Sequence, residues 1–127
     1  MTMKMTINEA ITRINALKPN GISQDEKINW LSTLDITIKN EIIDVYEGEE
    51  IKDFTGYTSE TPLTTPLIVP PPYDEIYLYW LESKINYWNG EMGRYNNSIT
   101  MFNTAYSAFE RHYIKTHKTK GKSFKFF

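Results

Sequence analysis

Leu78, Leu81, Ile85, Trp88, Met92, Tyr95, Ile99, Phe102, Tyr106, Phe109 and Tyr113 follow one another at spacings of three and four. A period near 3.5 marks one face of a packed helix. The repeat passes through Asn89-Gly90 and Gly93 in phase. A turn ordinarily resets the phase, so the pattern predicts one helix over residues 74–114. At about 1.5 Å per residue that helix would be about 60 Å long. Two short helices cover only part of such a stripe, and a partner chain is expected to cover the rest. The aromatic residues on it argue against a plain two-stranded coiled coil, whose seam prefers Leu, Ile and Val.

Shorter helical patterns come first. Thr6 and Glu9 form a capping box, in which hydroxyl and carboxylate each satisfy an end amide. Ile7, Ala10, Ile11, Ile14 and Leu17 then make a stripe that Pro19-Asn20-Gly21 ends. Ser23 and Glu26 make a second box. Ile28, Leu31, Leu34, Ile38, Ile42 and Val45 carry helical spacing to about Tyr46, with a break expected near Ser32-Thr33 among the β-branched residues.

Residues 47–72 turn acidic, then rich in Thr, Ser and Pro, around the apolar island Leu67-Ile68-Val69. Pro62, Pro66, Pro70, Pro71 and Pro72 exclude a helix. An extended loop with a short strand or hairpin is expected, and ordered loops of this length usually have a function. Asp74 and Glu75 suit the positive end of the helix that follows. Past Tyr113 the periodicity stops, and the tail is expected to be disordered in the free chain. The sequence therefore reads as all-α: short N-terminal helices packed on one long C-terminal helix. A helical domain fills residues 1–114, with its loop at 47–72, and an extended basic arm fills 115–127.

Charge refines this picture. The net charge of −2 exerts no global pull toward nucleic acid or anionic membrane. Acids crowd residues 41–60, whereas residues 115–127 hold lysines and no acid. Such asymmetry often marks complementary surfaces or tails. The absence of cysteine excludes disulfides and thiolate metal sites and fits a reducing cytoplasm. No apolar run approaches the ~20 residues of a membrane span, and the first residues lack a signal-peptide core. Most of the aromatic residues lie between Tyr73 and Tyr113, which suits an interface where one side of a ring is dry and the other wet.

No catalytic constellation emerges, and neither metal nor cofactor is expected. Gly90 and Gly93 lie inside the apolar repeat and read as close packing or a bend rather than a phosphate loop. His112 and His117 sit in no recognisable motif, so surface or tail roles are favoured over catalysis. Glu47, Glu49 and Glu50 lack the alternating ligands of a cation loop and read as a solvated acidic turn. Asn96-Asn97-Ser98 matches a glycosylation acceptor only formally.

The tail is the sharpest local feature. Lys115, His117, Lys118, Lys120, Lys122 and Lys125 lead to Phe124, Phe126 and Phe127. A lysine run alone reads as a solvated tail, but three phenylalanines on a free end are a liability unless they dock. A basic strand with apolar anchors reads as a docking arm that orders on binding. Nucleic acid is the other candidate partner, since lysines contact phosphate and aromatics stack on bases.

In order and style the chain resembles the small head–tail connector (adaptor, or head-completion) proteins of long-tailed bacteriophages and prophages. The likeness runs from a short helical pair through Val69-Pro-Pro-Pro-Tyr-Asp-Glu75 and Tyr77-Leu-Tyr-Trp-Leu81. It continues through Asn89-Gly-Glu-Met-Gly-Arg-Tyr-Asn-Asn97 and Met101-Phe-Asn-Thr-Ala-Tyr106 to a basic tail. It implies a structural protein of the virion neck, assembled in the host bacterial cytoplasm, without catalysis. It further implies a homo-oligomeric ring beneath the portal, twelve-fold by that likeness, continuing the DNA channel without sequence-specific binding. Trp88, Tyr95, Phe102 and Tyr106 would pack subunits, the C-terminal arm would reach the portal protein, and the opposite face would receive a stopper or tail-completion protein. The alternative is a nucleic-acid-associated helical accessory protein that uses its lysine-rich tail.

Overall fold

The computed structural model describes residues 3–48, 51 and 53–119. Among them the chain is mainly helical and contains no strand. The elements are α1 (Ile7–Leu17), α2 (Gln24–Glu41), a 3₁₀ turn (Ile43–Val45), α3 (Ile76–Trp88) and α4 (Met92–Thr116).

The entry into α1 satisfies every free amide of its first turn. Thr6 Oγ1 accepts from Glu9 N at 3.1 Å, and Glu9 Oε1 accepts from Thr6 N at 2.9 Å, which completes the capping box. The Ile7 and Asn8 amides donate to the carbonyls of Thr65 and Leu63, both at 3.0 Å. The Leu67 amide donates in turn to Met5 O at 2.8 Å. These bonds lay the proline-rich segment along the start of α1 and place Leu67, Ile68 and Val69 in the core. Of the second capping box, the Ser23 hydroxyl accepting from Glu26 N is the half that forms.

Helix α2 runs unbroken through Ser32-Thr33 and stops at Glu41, which corrects the break expected there and the end expected near Tyr46. The Thr33 and Thr37 hydroxyls bond back to the carbonyls of Asn29 and Thr33, so these β-branched positions stay helical.

The larger correction concerns residues 74–114, which form two helices and not one. Asn89 caps α3, and Gly90 adopts φ +75°. The Glu91 amide donates to Asn86 O at 2.9 Å and the Gly90 amide to Tyr87 O at 3.0 Å. That pair of bonds is a Schellman stop, with glycine in the left-handed position that side chains avoid. α4 then returns along α3 as a helical hairpin. The link from Asn89 to Glu91 is about as long in sequence as one helical turn, so the 3–4 spacing survives it unchanged. The facing sides of two helices thus mimic one continuous face. A Cβ at Gly93 would meet nothing, so close packing does not explain that glycine. Gly93→Ala is therefore expected to be neutral or stabilising by up to about 1 kcal/mol. Gly90→Ala should cost about 1 kcal/mol because its φ is left-handed. Paired urea melts of the two variants would check this contrast.

Helix α3 lies at the centre, touching α1, α2 and α4, and buries Ile76, Tyr77, Leu78, Leu81 and Ile85. α2 and α4 flank it without their backbones meeting, which leaves a furrow between them. The Lys18–Glu91 ion pair at 3.0 Å ties the end of α1 to the hairpin turn.

Candidate interaction surfaces

The predicted subunit-packing stripe divides when the hairpin closes. Phe102 is buried between Trp80 and Tyr106, with ring centroids 4.9 and 5.8 Å away. Tyr106 is half-buried, and its hydroxyl donates to Glu41 at 2.6 Å. Burial, followed by the bond to Glu41, pushes its pKa up. Tyr95 is half-buried against Tyr87. Trp88 remains 63% exposed and meets Trp30 edge-on at 6.2 Å. Most of the stripe is thus covered within the chain, and the overlong bare helix that called for a partner does not exist. What stays open is the hairpin tip, where Tyr87 and Trp88 end α3, Met92 opens α4 and Leu17 is exposed at the end of α1.

The predicted docking arm is described only at its root. Lys115 is exposed on the last turn of α4. His117 breaks the helix, stacks on Tyr113 at 3.7 Å and shares Nδ1 with Tyr113 O at 3.1 Å. Lys118 is exposed, and its carbonyl accepts from Glu47 N at 2.6 Å. Thr119 pairs antiparallel with Tyr46. The disorder expected from Lys115 onward is corrected for residues 115–119: Lys115 and Thr116 complete α4, and Lys118 and Thr119 are held by Glu47 and Tyr46. Lys120, Lys122, Phe124, Lys125, Phe126 and Phe127 lie outside the described residues. His112 lies 4.8 Å from Tyr73 in a stacked pair on the surface of α4. No group of three or more His, Asp or Glu among the described residues is placed to hold a metal ion.

The furrow between α2 and α4 holds about 240 Å³. Leu34, Thr37 and Glu41 form one wall, Phe102 and Tyr106 the other, and Trp80 the floor. Its volume falls below the ~300–1,000 Å³ of ordinary small-molecule pockets. One or two side chains would fill it.

One polar cluster escaped the sequence reading. Asp35 is fully buried on α2. Its Oδ2 accepts from Tyr57 Oη at 2.5 Å and from Ile68 N at 3.1 Å. Its Oδ1 accepts from Tyr77 Oη at 2.6 Å, and that oxygen accepts from Val69 N at 2.8 Å. Ser32, one turn earlier, accepts from Tyr57 N at 2.9 Å. One carboxylate therefore clamps the extended segment to both α2 and α3. Burial raises the Asp35 pKa from 3.8 to about 6, and the hydrogen bonds from Tyr57, Tyr77 and Ile68 pull it back only in part. Burial and then the nearby carboxylate push both tyrosines up. A signal was available: Asp35 follows Leu31 by four residues and precedes Ile38 by three, so it sits on the apolar face of α2.

No protein-family model, curated protein or solved structure matches the chain.

Proposed function

We propose that the chain is a structural adaptor of a phage neck that joins identical subunits in a ring beneath the portal and continues the DNA channel toward the stopper or tail. The observation that carries this reading is the separation of two unlike contact regions. The apolar hairpin tip stands at one end of α4 and the root of the basic arm at the other. At about 1.5 Å per residue, α4 holds them about 37 Å apart. A linker between two bodies needs such a division, whereas an enzyme needs convergent groups. In this reading Tyr87, Trp88 and Met92 face a neighbouring subunit or the stopper, and residues 115–127 engage the portal. Lysines steer that contact, and Phe124, Phe126 and Phe127 anchor it. The particle would be assembled in the host cytoplasm and carry the protein in its neck.

Truncation after Thr119 is expected to leave the helical fold intact and to abolish attachment to the portal protein. Co-sedimentation of full-length and truncated chains with portal rings measures this. Equal binding by the two would remove the docking role. The exposed Lys115 and Lys118 keep a nucleic-acid role as the second reading. A steep fall of DNA affinity with rising salt would favour it.

A further inference from the structure

We propose that the furrow between α2 and α4 is a peptide-binding site and that its occupant is the chain's own C-terminal segment, residues 120–127. The inference does not rest on the neck assignment, because furrow and segment both belong to this chain.

Three observations converge on it. The first is heading. Thr119 pairs antiparallel with Tyr46, and the Glu47 amide donates to Lys118 O. An antiparallel partner of residues 46–48 continues backward along the 3₁₀ turn toward the end of α2, where Glu41 stands at the furrow's rim. The second is reach. Tyr46 packs its ring against Tyr113 at 6.1 Å, so its partner Thr119 lies near the level of that residue. From Tyr113 back to Tyr106 α4 rises about 10 Å. Residues 120–127 extend to about 26 Å, enough to set Phe124 or Phe126 over the furrow.

The third is complementarity. The furrow has an apolar bed in which Leu34 and Phe102 are buried and Trp80 is half-buried. Glu41 and Asp44 are exposed along the approach, Glu41 accepting from Tyr106 and Asp44 paired with Lys39 at 2.8 Å, and Glu110 lies near enough to act on Tyr106. The segment supplies aromatic rings for the bed and Lys120, Lys122 and Lys125 for the acids. Alternation in an extended chain turns Phe124 and Phe126 to one side and Lys125 to the other. Read without the fold, the tail has nowhere to go; the furrow gives its rings a covered site, and a stronger external site would exchange with it.

The absence of cysteine makes the test direct. Ser123→Cys in the full-length chain accepts a single nitroxide label, and paramagnetic broadening of backbone amides locates it. Strong broadening is expected at Thr37, Glu41, Asn103 and Tyr106 and little in α1, unchanged on dilution. Adding Phe124→Ser and Phe126→Ser should abolish it, and these changes leave the packed helices untouched. No broadening at the furrow, or broadening at the hairpin tip instead, would overturn the proposal. Broadening that fades on dilution would also overturn it, by assigning the furrow to the tail of a second copy. Portal binding plays no part in the measurement, so its outcome and that of the neck reading are separate.

Discussion

Asp35→Ala is expected to destabilise the protein by about 3–5 kcal/mol at pH 5, because it orphans three donors at once. The Tyr57 and Tyr77 hydroxyls and the Ile68 amide all point at this carboxylate inside the core. The loss should be smaller at pH 7. The Asp35 pKa rises from 3.8 to about 6 on folding. Between those values the folded chain holds a proton that the unfolded chain has released. This contribution to stability is complete below about pH 4 and is lost as pH rises through about 6. Relative to Asp35→Asn, which keeps the volume but cannot ionise, the native chain should gain about 1–1.5 kcal/mol between pH 7 and pH 5. Lys4 is the charged group that opposes the shift, and it is common to both proteins. Urea unfolding of the pair at several pH values reads the difference directly. A native-minus-Asn difference that stays flat from about pH 4.5 to 7.5 would show that Asp35 does not titrate in the core.

Phe102→Ala is expected to cost about 3–5 kcal/mol in the isolated chain. The ring is buried against Trp80 and Tyr106, where α4 packs on α3 beside the furrow. Its removal leaves a cavity that the flanking rings cannot collapse into without losing their own contacts. Trp88→Ala on the same sequence stripe should change stability by no more than about 0.5–1 kcal/mol, since most of that ring is already in water. Thermal melts of the two variants would separate core from contact surface. Comparable losses would mean that the hairpin tip is packed as tightly as its middle.

These two positions show how far the pattern of the chain could be read. Phe102 and Trp88 share one unbroken repeat, and periodicity gives them equal standing. Burial distinguishes them only once α3 and α4 fold together. The repeat was legible; its direction was not, because spacing records which face a residue occupies and not whether the chain has reversed. The clue to reversal was Asn89-Gly90, whose left-handed glycine ends α3. Asp35 was legible as an acid on an apolar face, but its partners Tyr57, Tyr77 and Ile68 lie far along the sequence.

What the sequence by itself determined is the local part. The capping box at Thr6 and Glu9, the stop after Leu17, the exclusion of helix by five prolines and the all-helical character follow from interactions within a few residues. Tertiary structure alone decided the packing of α4 back along α3, the docking of residues 63–67 on the start of α1 and the buried carboxylate clamp. An extended segment makes no bonds to itself, so its place depends on which amides and which apolar faces the rest of the chain leaves uncovered. Those are set only when distant elements meet.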